Sequence, residues 1–327
     1  MKRNFLFMVL AIGWLGFVWG AETSGTEEVK KRPVVVVVNK TVMGDPFLVT
    51  IGEEAKRRGN ELGFDVLLRA GSAIGRSVVD QQLEIIDEMI ARRVDGIFLL
   101  PADSTVIVPA VKKANAAGIP VITLDTAAYG GSIVTHIGTD NVKGAEMAAE
   151  AMIQVLKERG IASPRVAMIE GDVGQQTAID RKLGFHERIA KEPWIKIVAS
   201  VPGNWSTAGA AEAMEQILKE HPELDAVYAA CDMMGIGAYK VLKRFGKEKQ
   251  VQLILFDGLP EGVEMVRQGK AVADVAQHPK RMGKLGAEIM ASLIIDKVDP
   301  ATIPPIMDSG VEIVTKENVD AFMKANW

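Results

Sequence analysis

From Pro33 onward, short apolar runs alternate with longer stretches whose apolar residues recur at helical spacing. Residues 34–38 are five consecutive valines, which suits a strand buried on both faces of a parallel sheet. A loop over 39–46 leads to a helix over 47–62, and Gly63 stops it. The next strand is predicted over 64–68, with Asp65 interrupting it near its start. A helix over 78–92 carries apolar residues at 79, 83, 86 and 90, close to a helical period. Asp95-Gly96 precedes a strand over 97–100, a turn over 101–104 starts a helix over 106–117, and Gly118 ends it.

The stretch 119–141, IPVITLDTAAYGGSIVTHIGTDN, organises the rest of the chain. Its two apolar runs, 120–124 and 133–137, each end in a polar cluster: Asp125-Thr126, then Gly138-Thr139-Asp140-Asn141. In an open parallel sheet, ligands bind just beyond the carboxyl ends of the strands, so a carboxylate there is aimed at a ligand. The second cluster leads into a helix over 142–159, with Asp140 or Asn141 as its N-cap. The chain is expected to leave its first lobe here.

The rhythm then repeats. Strands are predicted over 165–170, 196–200, 226–230, 251–256 and 271–276. Helices are predicted over 178–191, 208–220, 235–245, 260–268 and 281–296. Residues 312–314 read as a final strand and 319–323 as a short terminal helix. Two consecutive βα arrays, each too small for a barrel, predict an α/β fold of two doubly wound parallel-sheet lobes. No low-complexity linker separates them, so direct crossovers are expected rather than a tether.

With 327 residues, 48% apolar and 24% charged, the chain has room for two domains and is not a disordered composition. A net charge of −4 argues against nucleic acid as a partner. The single cysteine, Cys231, rules out an internal disulfide and a multi-cysteine metal site. Histidines at 136, 186, 221 and 278 lack metal-ligand spacing, so no metal and no cofactor are expected. Lys2 and Arg3 precede an uncharged, mostly apolar run over 5–19 and the small residues Gly20 and Ala21. This predicts a signal peptide over 1–20, cleaved near Gly20, and export to the periplasm. Retention of the run as a membrane tether is the alternative. Residues 22–31 read as a flexible lead-in.

Enzyme signatures are missing from the sequence. Gly235-Ile236-Gly237 lacks the third glycine of a dinucleotide fingerprint, and GSAIGRS over 71–77 lacks the P-loop lysine and spacing. There is no serine nucleophile elbow. No catalytic residue is assigned.

One set of motifs runs in order along nearly all of the chain after Pro33. It comprises Asp45-Pro46-Phe47, IPVITLD over 119–125, HIGTDN over 136–141, RKLGF over 181–185, Cys231-Asp232 with Met234-Gly235 and Gly237-Ala238, Phe256-Asp257-Gly258, and Gln277-His278-Pro279. In these the sequence resembles the ribose-binding-protein-like periplasmic substrate-binding proteins, which share the fold of lactose-repressor-type regulators. A DNA-binding regulator of that fold would need a basic helix-turn-helix before Pro33, where the leader stands instead. The resemblance implies a type I periplasmic binding protein, with two lobes joined by three crossovers and the ligand enclosed between them. The N-terminal lobe would comprise 33–139 and 278–307, and the C-terminal lobe 140–277 and 308–327.

A polyhydroxylated ring needs paired donors and acceptors around its edge and aromatic faces over its apolar sides. By resemblance, Asp125 and Asp257 accept hydrogen bonds from ligand hydroxyls, one from each lobe. Arg181 offers a fork of donors and Gln277 a binding amide. Phe47 and Trp205 are the covering aromatics, while Phe256 lies against the ring edge or in the core. Asp45, Thr126, Cys231 and Asp232 complete the expected set. On the residues alone, the alternatives are that Asp125 caps local amides, Arg181 is a solvated helix residue, and the aromatics pack locally. His136 reads as structural.

The chain departs from the ribose-type pattern. It has Asp45, Leu100 and Cys231 where that pattern has asparagine, Thr126 for arginine, and Leu48 for a second phenylalanine. One side of the pocket is therefore expected to be less polar, and the region near Asp45 more acidic. A pentose, a hexose, a deoxy sugar and a polyol all fit. So does an amine-bearing ligand if Asp45 and Asp125 are not both balanced by Arg181. The expected function is a monomeric, non-catalytic receptor that captures a monosaccharide or polyol and delivers it to the permease of an ABC importer, with a chemoreceptor as a further partner. A tethered or chemoreceptor-linked sensor, or a receptor for a non-sugar polar ligand, is the alternative.

Overall fold

The valine run forms the strand β1 (Val34–Asn39), inside a six-stranded sheet. A computed structural model describes residues 31–41, 45–71 and 76–326. The expected leader over 1–20 lies outside the described residues, as does most of the lead-in. After β1 come α1 (Pro46–Leu62), β2 (Asp65–Ala70), α2 (Val78–Ala91), β3 (Gly96–Leu99), α3 (Val108–Ala116), β4 (Val121–Leu124) and β5 (Thr135–Gly138). The second array is α4 (Asn141–Glu158), β6 (Arg165–Glu170), α5 (Gln176–Ala190), β7 (Lys196–Pro202), α6 (Thr207–Glu220), β8 (Ala226–Ala229), α7 (Asp232–Arg244), β9 (Gln252–Asp257), α8 (Pro260–Arg267) and β10 (Ala273–Gln277). The chain closes with α9 (Pro279–Ile294), β11 (Ile306–Asp308), β12 (Val311–Thr315) and α10 (Val319–Asn326).

The first sheet has the order β11-β5-β4-β3-β1-β2 and is parallel throughout. Its valines show why a solid apolar run was needed. Val35 and Val37 pack with Phe47, Ile51 and Met290 of α1 and α9, while Val36 and Val38 pack with Ile86, Met89 and Val111 of α2 and α3. The second sheet has the order β12-β10-β9-β8-β6-β7, with β12 as an antiparallel edge. The α/β class and the two parallel-sheet lobes therefore stand as expected. The chain passes between the sheets three times: from β5 to α4, from β10 to α9, and from β11 to β12.

Local chemistry sets the boundaries. Asp45 caps α1, Pro46 opens it, and Gly63 ends it in the left-handed region at φ 101. Asp140, not Asn141, caps α4. Helix α3 starts at Val108 rather than 106, because Asp103 Oδ1 holds the amides of Thr105 and Val106 in a preceding turn. Helix α7 starts at Asp232 rather than 235, with the Cys231 Sγ accepting from Met234 N. Strand β11 escaped sequence reading. It is three residues long, follows Pro304-Pro305, and leaves Ile306 71% exposed, so it carries no apolar run.

Candidate functional site

Strand ends from both sheets converge on a cleft of about 210 Å³. From the first lobe come Lys40 after β1, Asp45 and Phe47 at the start of α1, and Asp125 after β4. From the second come Asp172 after β6, Arg181 on α5, Trp205 between β7 and α6, Cys231 after β8, Asp257 at the end of β9 and Gln277 at the end of β10. This is the face at which open parallel sheets bind ligands.

Asp125 sits at φ 64, a conformation rare outside glycine. Its amide continues the ladder to Ile137 O (2.9 Å), and Thr126 N donates back to Leu124 O (2.7 Å), closing a tight turn with Asp125 at its apex. Lys40 Nζ (3.2 Å) and Thr126 Oγ1 (2.7 Å) both donate to Asp125 Oδ2. Asp257 repeats the device in the other lobe, at φ 124. Its Oδ1 accepts from Arg181 Nη1 (3.1 Å) and Gln277 Nε2 (2.7 Å). Each lobe thus presents a carboxylate with one oxygen bound by a cation and a neutral donor. The other oxygen is left to the cleft.

Arg181 is only 3% exposed. Its Nε donates to Asn141 Oδ1 (2.8 Å) and its Nη1 to Ala230 O (2.5 Å). The guanidinium lies 3.8 Å from the centre of the Phe256 ring and 5.4 Å from that of Trp205, a cation between two π faces. Asn204 and Trp205 both have positive φ, at 51° and 54°, which turns the indole back over Gly171. A Cβ at Gly171 would lie 2.0 Å from that ring, so only glycine fits. Two polar atoms in this region are buried without a partner among the described residues: Trp205 Nε1, a donor, and Gln277 Oε1, an acceptor.

Eight of the eleven expected residues line the cleft: Asp45, Phe47, Asp125, Arg181, Trp205, Cys231, Asp257 and Gln277. Thr126 is fully buried behind Asp125 and orients it. Phe256 is fully buried beneath Arg181, against Gly144, as the core alternative had it. Asp232 requires a correction. It is 0% exposed and its carboxyl points to the amide of Leu259, away from the cleft. Leu100 is likewise buried, its carbonyl bonded by Gln82. Asp45 does two jobs: its Oδ1 accepts from Phe47 N (3.0 Å) and Leu48 N (3.4 Å) while it lines the cleft. Burial raises the Asp45 carboxyl above its ordinary range, and burial pushes Asp257 up to about 7. His136 bonds Thr123 Oγ1 (3.0 Å) within the first sheet.

Sequence reading missed Lys40 and Gln175. Lys40 Nζ donates to Asp125 Oδ2 (3.2 Å), Thr126 Oγ1 (2.7 Å) and Gln175 Oε1 (2.8 Å). The ammonium therefore ties Asp125 and Thr126 of the first lobe to Gln175 of the second. Two further bonds cross the cleft beside it: Ser104 N to Gly174 O (3.1 Å) and Gln176 N to Ser104 Oγ (3.2 Å). No group of His, Cys, Asp and Glu among the described residues is arranged to hold a metal ion.

Comparison with known proteins agrees with this architecture. The sequence profile described as the periplasmic binding protein domain matches residues 35–297, and the chain belongs to that family. It is 31% identical to the ribose import binding protein of Bacillus subtilis, over 84% of this chain and 86% of the relative. A periplasmic solute-binding protein of an ABC transporter from Actinobacillus succinogenes, solved with bound D-allose, superposes with a TM-score of 0.80 at 28% identity, covering 89% of this chain and all of that one. An ABC transporter solute-binding protein from Agrobacterium vitis, solved with bound D-fucose, gives 0.81 at 27% identity, covering 90% of this chain and 99% of that one.

Proposed function

We propose that this chain encloses a monosaccharide or polyol between its lobes and delivers it to the permease of an ABC importer, acting by binding and closure rather than by turnover. The observation that carries the reading is the matched pair of carboxylates, Asp125 and Asp257, each with one oxygen fixed by a cation and a neutral donor. Phe47 and Trp205 supply the flat apolar surface that a sugar ring covers. Asp125 and Asp257 each already have a cation, Lys40 and Arg181, and burial raises the lining carboxyl of Asp45, which favours a neutral hydroxyl-rich ligand over an amine. Leu48, Val78, Ala102 and Met233 make part of the lining apolar, which suits a sugar with a deoxy or unsubstituted carbon on that side.

The two rigid bodies of closure are taken as 33–139 with 278–307, and 140–277 with 308–327. A ligand touching both lobes stabilises the closed form, because its contacts are complete only there. Micromolar affinity corresponds to about −8 kcal/mol, within reach of a few charge-assisted hydrogen bonds and ring contacts. The mature protein then works in the periplasm, as its family does, as a monomer released by cleavage near Gly20, with importer and chemoreceptor contacts outside the cleft. Thermal-shift screening of the purified protein against ribose, allose, fucose, other aldoses and polyols tests the reading. Stabilisation by at least one neutral sugar or polyol, without its chemical conversion, is expected. Stabilisation by amines alone, or turnover of the sugar, would overturn it.

A further inference from the structure

Beneath the turn that carries Asp257 lie two carboxylic acids that the cleft does not use. Asp232, at the start of α7, and Asp274, on β10, are both 0% exposed. Asp274 Oδ1 accepts from Gly258 N (3.1 Å) and Asp232 Oδ2 from Leu259 N (2.7 Å), the two amides that directly follow Asp257. The remaining oxygens, Asp232 Oδ1 and Asp274 Oδ2, are buried with no donor from the rest of the described residues. The two acids bear directly on each other, and two orphaned acceptors that face each other are satisfied together if one carries a proton.

The described surroundings offer no other partner. Gly262 of α8 lies so close that an added Cβ would be 2.2 Å from Asp232 Oδ1. Val314 of β12 pairs with Asp274, and Phe322 of α10 lies against Gly258. The charged groups that bear on the pair are Asp257 and Arg181, and Arg181 is already bonded to Asp257, Asn141 and Ala230. Tyr228 and Cys231, also buried, complete the titratable neighbours.

We propose that Asp232 and Asp274 share one proton and, as a pair, position the ligand carboxylate Asp257 by holding the two backbone amides that follow it. Burial raises both acids; the charge of Asp274 raises Asp232 further, while the hydrogen bond with Asp232 lowers Asp274, so the shared proton stays on the pair at neutral pH and rests mainly on Asp232. When it leaves, two negative charges face each other without a cation. One acid must then release its amide, and the turn loosens. Both acids are positioning residues; neither touches the cleft.

The test follows amide exchange at Gly258 and Leu259 in the ligand-free full chain from about pH 6 to about pH 9.5, corrected for the intrinsic rate, alongside Kd for D-allose. In Asp274→Asn an amide N–H replaces the shared proton. In the wild type, protection at both amides should fall about tenfold or more toward alkaline pH, and affinity should fall with it. In Asp274→Asn protection at both amides should stay flat, with neutral affinity within about twofold of wild type and only the titration of Asp257 itself left in the pH dependence of Kd. Asp274→Val should lose protection at Gly258 at every pH. The proposal is overturned if Asp274→Asn declines in parallel with the wild type, or if wild-type protection does not change. Should Asp274→Val fail to fold, the asparagine comparison decides alone. The affinity arm rests on the sugar-binding reading. A wild type that binds no sugar would sink that reading, while the exchange arm would still decide the carboxyl pair.

Discussion

Asp125 holds a left-handed backbone and two donors at one oxygen, a conformation that persists only where its surroundings impose it. Removing the carboxylate with Asp125→Ala should weaken binding of the best sugar about 10- to 100-fold, the value of a charge-assisted hydrogen bond, with the fold retained. Calorimetric titration beside circular dichroism checks both halves. Lys40→Met leaves Asp125 without its cation and should also weaken binding, whereas Lys40→Met with Thr126→Arg should recover part of it. No recovery would mean that the ammonium does not stand in for that arginine. Arg181→Ala is a poorer probe, because stranding the buried Asp257 costs about 3–5 kcal/mol of stability. A pH effect belongs at this scale too. Burial pushes Asp257 and Asp274 up to about 7, so the folded state binds more protons than the unfolded chain between about pH 4 and 7. That stability is present at the acid end and lost as pH rises through about 7. His136, His186 and His278 are lowered by burial and act in the opposite direction, but only the carboxyl shifts are large. The Tm of the ligand-free protein should therefore fall between about pH 5 and 7.5 and level off above that. A rise over that range would contradict the assignment.

Among the elements, the close approaches are where sequence alone ran out. The valine run, the capped helices and IPVITLD were legible because each is local in the chain. Lys40 was not, because its partners Asp125 and Gln175 lie 85 and 135 residues away and its own segment reads only as a loop. Asp274 did leave a signal, a carboxylate in the middle of the fully buried strand ADVAQ, whose meaning depended on Asp232 packing beside it. Asp232 was expected in the cleft by resemblance, through the motif Cys231-Asp232, but successive residues at a helix start point in different directions. Helices α4 and α5 meet at Gly184, where a Cβ would lie 2.2 Å from Val142 O. Gly184→Ala should push α5 away, destabilise the protein by about 1–3 kcal/mol, and carry Arg181 with it. Gly171→Ala instead meets the indole first. It should lower sugar affinity while Tm changes little; equal affinity would show that Trp205 does not cover the ligand.

At the scale of the whole molecule, two sheets are linked by three short passages, and the carboxyl ends of their strands face one cleft. Lys40 to Gln175 and Ser104 to Gly174 and Gln176 already bridge the two sides, so the structure is a closed arrangement. Opening must break these bonds, and ligand contacts to both lobes oppose it. Small-angle scattering should accordingly report a smaller radius of gyration with a bound sugar than without, and Asp125→Ala should need about 10- to 100-fold more sugar for the same change. Everything turns on where a sugar sits. Diffraction from crystals grown with the sugar giving the largest thermal shift tests this most directly. The predicted result is a ring between Phe47 and Trp205, with hydroxyls on the free oxygens of both Asp125 and Asp257. A sugar bound elsewhere, or one touching only a single lobe, would contradict it.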